Sequence, residues 1–268
     1  MLVRYQQLPV KKILSYLLLF ILCGCRHIPT DSPIASLPDE CTSPGTITSA
    51  DLPSSVTVSS YSYRVYLPPC YAAESNTHYP IIYLVPGRSS GPDSWLAAGL
   101  ADVLDRMILS KEIPPFILVT TENIDNDPLA ETIYNELIPY IEIQYPIINN
   151  RQYRAVAGGS LGGIAAYRLV FQHLDTFSSA GIFGAGAISG EEPRINIWLA
   201  SMNEENRIRV FMDSGTEDPL MLDRAKVMKS MLDKMGIENI LHTGAGGHNY
   251  AYWVSNFEMY LKWLTEGW

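Results

Sequence analysis

Apolar positions along the chain fall into two alternating rhythms. Tyr61-Ser62-Tyr63-Arg64-Val65-Tyr66-Leu67 has a period of two, which predicts a strand with one buried face. Pro68-Pro69 ends it, because proline cannot donate to a sheet ladder. Pro80-Ile81-Ile82-Tyr83-Leu84-Val85 is a near-continuous apolar run, as expected of a strand covered on both faces. Phe116-Ile117-Leu118-Val119, Ala155-Val156-Ala157 and Ile208-Arg209-Val210-Phe211-Met212 are shorter runs of that kind, and Asn239-Ile240-Leu241 supplies a last strand. Helical patterns lie between them, at Trp95 to Leu109, Ala130 to Ile143, Ile164 to Phe171 and Leu220 to Met235, and an aromatic-rich closing helix runs from Tyr250 to Leu264. Strands alternating with helices predict an α/β fold, a mostly parallel central sheet with helices on both faces. Sites in open sheets of this kind lie beyond the carboxyl ends of the strands. Chemistry is therefore expected in the loops after Val85, Val119, Ala157, Met212 and Leu241.

Two segments precede this pattern. Arg4, Lys11 and Lys12 are followed by the apolar run Ile13 to Leu22 and then by Leu22-Cys23-Gly24-Cys25. A basic start, a short apolar stretch and a small-residue end describe an export signal, here residues 1–24, and the run is too short to span a bilayer comfortably. Leu-Cys-Gly-Cys resembles the lipobox of bacterial lipoproteins, which implies lipidation of Cys25 and an exported protein anchored to the extracytoplasmic side of a bacterial membrane. Residues 25–53 are rich in Pro, Ser, Thr and Asp without apolar period, the chemistry of a solvated linker, and the catalytic domain is expected over 54–268. With Cys23 and Cys25 in the signal, Cys41 and Cys70 remain of the four cysteines as an even pair in an oxidising compartment, and a disulfide is expected between them.

Composition narrows the function by exclusion. The formal net charge is -9 and no Lys/Arg-rich run follows the first dozen residues, so a nucleic-acid partner is not expected. No H-x-x-x-H pair is present, and neither a metal nor an organic cofactor is called for.

The chemistry concentrates in three loops. Gly158-Gly159-Ser160-Leu161-Gly162-Gly163 stands between a predicted strand and a predicted helix, the context of a nucleophile elbow. Its turn demands residues without bulk two before and two after the serine, and these are Gly158 and Gly162. The N–H of Leu161, at the helix start, would face an oxyanion. A Walker-type phosphate loop is the competing reading, but no lysine follows Gly162. Of the five histidines His27, His78, His173, His242 and His248, the last follows the flexible Gly244-Ala245-Gly246-Gly247 after the final strand. The chain order Ser, acid, His is that of α/β-hydrolases, so His248 is the candidate base, with His242 second. Asp213, Glu217 and Asp218 compete for the acid in Asp213-Ser214-Gly215-Thr216-Glu217-Asp218-Pro219. Asp213 lies at the strand end; Asp218 reaches further out, yet Asp-Pro before an apolar helix also reads as an N-cap and first helical residue. On residue chemistry alone Asp213 and Asp218 stay level.

These motifs resemble the esterase family that includes esterase D, feruloyl and acetyl-xylan esterases, siderophore esterases and the antigen 85 mycolyltransferases. The likeness runs from about Tyr63 to Trp253. Val65-Tyr66-Leu67-Pro68-Pro69-Cys70-Tyr71 is similar to the family's first strand, where glycine is usual at the Cys70 position. Tyr83-Leu84-Val85-Pro86-Gly87 with Trp95 is similar to its oxyanion strand and loop, and Glu136 to Glu142 to the helix before the elbow strand. Gly215-Thr216-Glu217-Asp218 is similar to the acid loop, and Gly246-Gly247-His248 with Trp253 to the histidine loop. The resemblance implies the α/β-hydrolase fold, a serine esterase without cofactor, and Asp218 rather than Asp213 as the acid. One departure is Pro86, where the family usually has histidine; position implies that the second oxyanion N–H comes from Arg88. The implied reaction is hydrolysis of a small-molecule or carbohydrate-linked carboxylic ester through an acyl-enzyme on Ser160. The same Ser160, His248 and Asp218 would also serve an acyltransferase, and a surface binding module without activity is the rival from another class.

Overall fold

A computed structural model describes residues 34–55, 60–72, 76–123 and 129–268. The export segment and Cys25 lie outside these residues. The described strands are β1 (Thr46–Pro53), β2 (Ser60–Leu67), β3 (Ile81–Val85), β4 (Ile117–Thr121), β5 (Arg154–Gly159), β6 (Ser179–Phe183), β7 (Arg209–Gly215) and β8 (Glu238–Gly244). The described helices are α1 (Ser94–Ala97), α2 (Leu100–Leu109), α3 (Leu129–Thr132), α4 (Ile138–Gln144), α5 (Leu161–Gln172), α6 (Glu192–Leu199), α7 (Pro219–Lys234), α8 (Tyr250–Val254) and α9 (Phe257–Leu264). The eight described strands form one sheet in the order β1-β2-β4-β3-β5-β6-β7-β8. β1, β2 and β4 pair antiparallel, and every pair from β4 to β8 is parallel, which makes this the mostly parallel sheet of an α/β-hydrolase fold.

Every residue of β3, β4, β5 and β6 is buried, which is why β3, β4 and β5 read as apolar runs rather than alternations. Successive side chains still leave on opposite faces. Ile81, Tyr83 and Val85 belong to the core cluster that α4, α5 and α7 complete on one side, while Ile82 and Leu84 belong to the one that α2 and α9 complete on the other. The covering helices are amphipathic in the expected way: α2 buries Leu100, Leu104, Met107 and Ile108, and α9 buries Phe257, Tyr260, Leu261 and Leu264. Among the described residues no helix is long and apolar enough to cross a membrane.

Several elements differ from the expectation. The helix from Trp95 to Leu109 is two helices, α1 and α2, parted where Gly99 takes φ of +95°. The one from Ala130 to Ile143 carries a π-helical turn at Ile133–Leu137, which leads into Pro139, a residue with no N–H for the ladder. The closing helix is split after Val254, where the side chains of Ser255 and Asn256 both donate to the Tyr252 carbonyl. Residues 46–53 are not solvated linker but the edge strand β1, whose side chains are nearly all exposed. An edge strand bonded through its main chain, with only Ala50 and Leu52 turned to the core, has too short an apolar period to read.

Cys41 and Cys70 are joined, with Cα atoms 6.0 Å apart and 29 residues of separation. Closing a loop of that length stabilises the domain by roughly 3.5 kcal/mol in the chain-entropy description. Cys70 takes φ of +54°, the left-handed conformation for which glycine is the usual solution. The cross-link thus occupies the position where the resembled family has glycine.

Candidate active site

β5 ends at Gly159 and α5 begins at Leu161, so the chain reverses within Ser160, which takes φ of +55° and ψ of -121°. Such a turn brings three elements into contact. A Cβ on Gly158 would lie 2.4 Å from the Gly162 carbonyl carbon, and one on Gly162 would lie 2.2 Å from the Val85 oxygen of β3. Only glycine permits both approaches. The Ser160 N–H donates to the Phe183 carbonyl at 2.8 Å, tying the elbow to β6. Leu161, the first residue of α5, carries one of the N–H groups that a helix start leaves without an intrahelical acceptor, at the positive end of the helix dipole.

Two further loops converge on this serine. His248 Nε2 stands 2.7 Å from Ser160 Oγ, and His248 Nδ1 stands 2.6 Å from Asp218 Oδ2. The other oxygen of Asp218 accepts from the Met221 N–H at 3.4 Å and caps α7. One carboxylate therefore meets the imidazole with one oxygen and caps the helix with the other. A carboxylate beside Nδ1 selects the tautomer with hydrogen on Nδ1, which leaves the Nε2 lone pair toward the serine hydroxyl. The acid and histidine loops are laced together: Thr216 N–H donates to the Gly244 carbonyl at 2.8 Å and Glu217 N–H to the Gly246 carbonyl at 2.9 Å. The imidazole stands edge-on to Trp253, ring centroids 5.4 Å apart. Beneath the elbow, Trp95 and Trp253 close on Gly159, where a Cβ would lie 3.1 Å from each indole.

Asp213 and His242 are brought together elsewhere. Asp213 is fully buried, and its carboxylate accepts from the Tyr252 hydroxyl at 2.7 Å and from the Tyr260 hydroxyl, and meets His242 Nδ1 at 2.9 Å. Burial, and then the adjacent Asp213 carboxylate, push both phenols well above the ordinary tyrosine range. The Tyr252 oxygen also accepts from the Gly244 N–H at 3.1 Å, so Asp213 is spent on anchoring the base of the histidine loop.

The loop after β3 borders the elbow. A Cβ on Gly87 would lie 3.5 Å from Ser160 Cβ, Arg88 is exposed, and Ser89 turns with φ of +52°. Residues at the end of β4 that the sequence did not single out hold this loop. Thr120 Oγ1 donates to the Pro92 carbonyl at 2.6 Å, Asn123 Nδ2 to the Pro86 carbonyl at 2.8 Å, and the Asn123 N–H to the Ser90 carbonyl at 3.0 Å. Two polar residues capping a buried apolar run were the available signal. Among the described residues no group of three or more His, Cys, Asp or Glu side chains could hold a metal ion.

Residues 54–264 match the family model described as "Putative esterase". The chain is 28% identical over 145 residues to an endo-1,4-beta-xylanase/feruloyl esterase of Xylanibacter ruminicola, a match covering 48% of this chain and 20% of that protein. It is 28% identical over 130 residues to endo-1,4-beta-xylanase Y of Acetivibrio thermocellus, covering 42% of this chain and 12% of that one. The chain thus spans only a fraction of these curated relatives. Among solved structures, a ferulic acid esterase superposes with a TM-score of 0.73 at 27% identity, covering 84% of this chain and 99% of the other.

Proposed function

Because the chain belongs to the esterase family whose model spans residues 54–264, and is a serine esterase, we propose that it hydrolyses carboxylic esters through an acyl-enzyme on Ser160, with His248 as base and Asp218 as its acid partner. The observation that carries this reading is the chain of two hydrogen bonds from Ser160 through His248 to Asp218, at 2.7 and 2.6 Å. His248 Nε2 takes the hydroxyl proton as Ser160 Oγ attacks the ester carbonyl. The N–H groups of Leu161 and Arg88 stabilise the oxyanion. His248 then protonates the departing alkoxide, and water, deprotonated by the same nitrogen, cleaves the acyl-enzyme. The names of the relatives at 27% and 28% identity support feruloyl esters as the first substrates to test. A fluorophosphonate should label the protein once per chain at Ser160, and a p-nitrophenyl ester should give a burst of one nitrophenol per chain. Labelling elsewhere, with Ser160 unmodified, would refute the assignment.

The enzyme is exported and tethered through a lipid on Cys25, a reading supported by the basic start, the short apolar run and Leu22-Cys23-Gly24-Cys25. In a bacterial host, a clickable fatty acid should mark the protein and the protein should sediment with membranes. Cys25→Ala should lose both properties; unchanged labelling and sedimentation of that variant would remove the tether from the picture.

A further inference from the structure

Pro86 stands where the resembled family usually has histidine, so the shape of the loop after β3 has to come from other contacts. The strand order supplies them. β4 lies beside β3, and the loop leaving β3 is bonded to the end of β4. Asn123 is 8% exposed and holds this loop at two points, through its side-chain Nδ2 to the Pro86 carbonyl and its main-chain N–H to the Ser90 carbonyl. Those carbonyls bracket Gly87, Arg88 and Ser89, and a Cβ on Gly87 would lie 3.5 Å from Ser160 Cβ. A carbonyl oxygen only accepts, so the amide of Asn123 must turn its NH2 toward Pro86. The same Pro86 oxygen is pressed from the far side by the start of α5, since a Cβ on Gly162 would lie 2.5 Å from it. Pro86 is thus clamped between the elbow helix and the Asn123 amide, and Ser89, at φ of +52°, completes a sharp turn between two tied ends.

We infer that Asn123 is a positioning residue, which holds the Arg88 N–H against the developing oxyanion at Ser160. The inference rests on the reaction proposed above. Oxyanion donors work only within about 2.7–3.1 Å of the charge they stabilise. A displacement of about 1 Å costs on the order of a hundredfold in rate. The hydrogen bonds described for Asn123 go to the loop carbonyls of Pro86 and Ser90, so its loss should be felt in the transition state and not in ground-state binding.

Asn123→Ala and the near-isosteric Asn123→Asp test this, with p-nitrophenyl acetate as substrate. Two inhibitors accompany it: a trifluoromethyl ketone, whose tetrahedral adduct carries the oxyanion, and the amide analogue of the substrate, which stays neutral and trigonal. In each variant kcat and the ketone affinity should fall by roughly 30- to 100-fold, while KM and amide affinity stay within about threefold. The inference is overturned by a folded variant whose kcat is within about threefold of the unmodified enzyme, or by equal losses for ketone and amide. Loss of the fold in both variants, seen by melting and near-UV circular dichroism, would overturn it too, by making Asn123 a stability residue. A failure of the underlying reaction shows separately, as wild-type turnover in Ser160→Ala whatever Asn123 does.

Discussion

Ser160→Ala and His248→Ala are each expected to lose about five to six orders of magnitude in kcat, and the double variant is expected to be little worse than either. Nucleophile and base act as one unit. Once the serine is gone the imidazole has no proton to take, and once the imidazole is gone the hydroxyl at neutral pH is a weak nucleophile. Both side chains sit at the surface end of the site and are partly exposed, so neither truncation opens a core cavity. Melting temperatures should therefore stay close to that of the unmodified protein. Kinetics with a p-nitrophenyl ester, run beside a melting scan, read both quantities. Losses that multiplied in the double variant would mean that the two residues act in separate steps, and a tenth of the normal rate in Ser160→Ala would end the acyl-enzyme reading.

Asp218→Asn is expected to lower kcat by roughly 10⁴-fold, because an amide beside Nδ1 lets the imidazole adopt the wrong tautomer. The same change weakens the α7 cap, at a cost of about 1 kcal/mol. Asp213→Asn should do the reverse. Its carboxylate is buried among Tyr252, Tyr260 and His242, and an amide can accept from only one side of that cluster. Stability should fall by about 1–3 kcal/mol, while turnover per folded molecule changes far less than in Asp218→Asn. Measuring kcat well below both melting transitions separates the two effects. Full loss in Asp213→Asn with near-normal turnover in Asp218→Asn would exchange their roles.

Legibility in the sequence followed how local each constraint is. The elbow was readable because its geometry forces glycine at 158 and 162, two residues either side of Ser160, and steric demands at that range leave a pattern. His248 was readable from its place after a glycine loop and a last strand. The acid was not decided by residue chemistry, because Asp218 carries the full signature of an N-cap; that one of its oxygens meets His248 while the other caps α7 is a division no spacing encodes. β6, Ser179 to Phe183, escaped notice because its middle residue is Gly181, small where β6 meets Ala157 of β5, and a strand chosen for closeness lacks a strong apolar run. α6, with Pro193 and a short amphipathic stretch, escaped for similar reasons. Asn123 is invisible to any local pattern, since its partners Pro86 and Ser90 are more than thirty residues away in sequence.

The backbone of Ser160 has a consequence for how this protein can change over generations. A non-glycine residue held at φ of +55° costs on the order of 1–3 kcal/mol, and the fold bears that cost only where turnover repays it. Stability and activity are thus opposed at one codon. In a lineage that stops needing the reaction, replacement of this serine by glycine would relieve the strain and add a little to stability. Under the reaction proposed above, a serine kept at this turn is what selection for turnover requires, in a way that a comfortably placed residue is not.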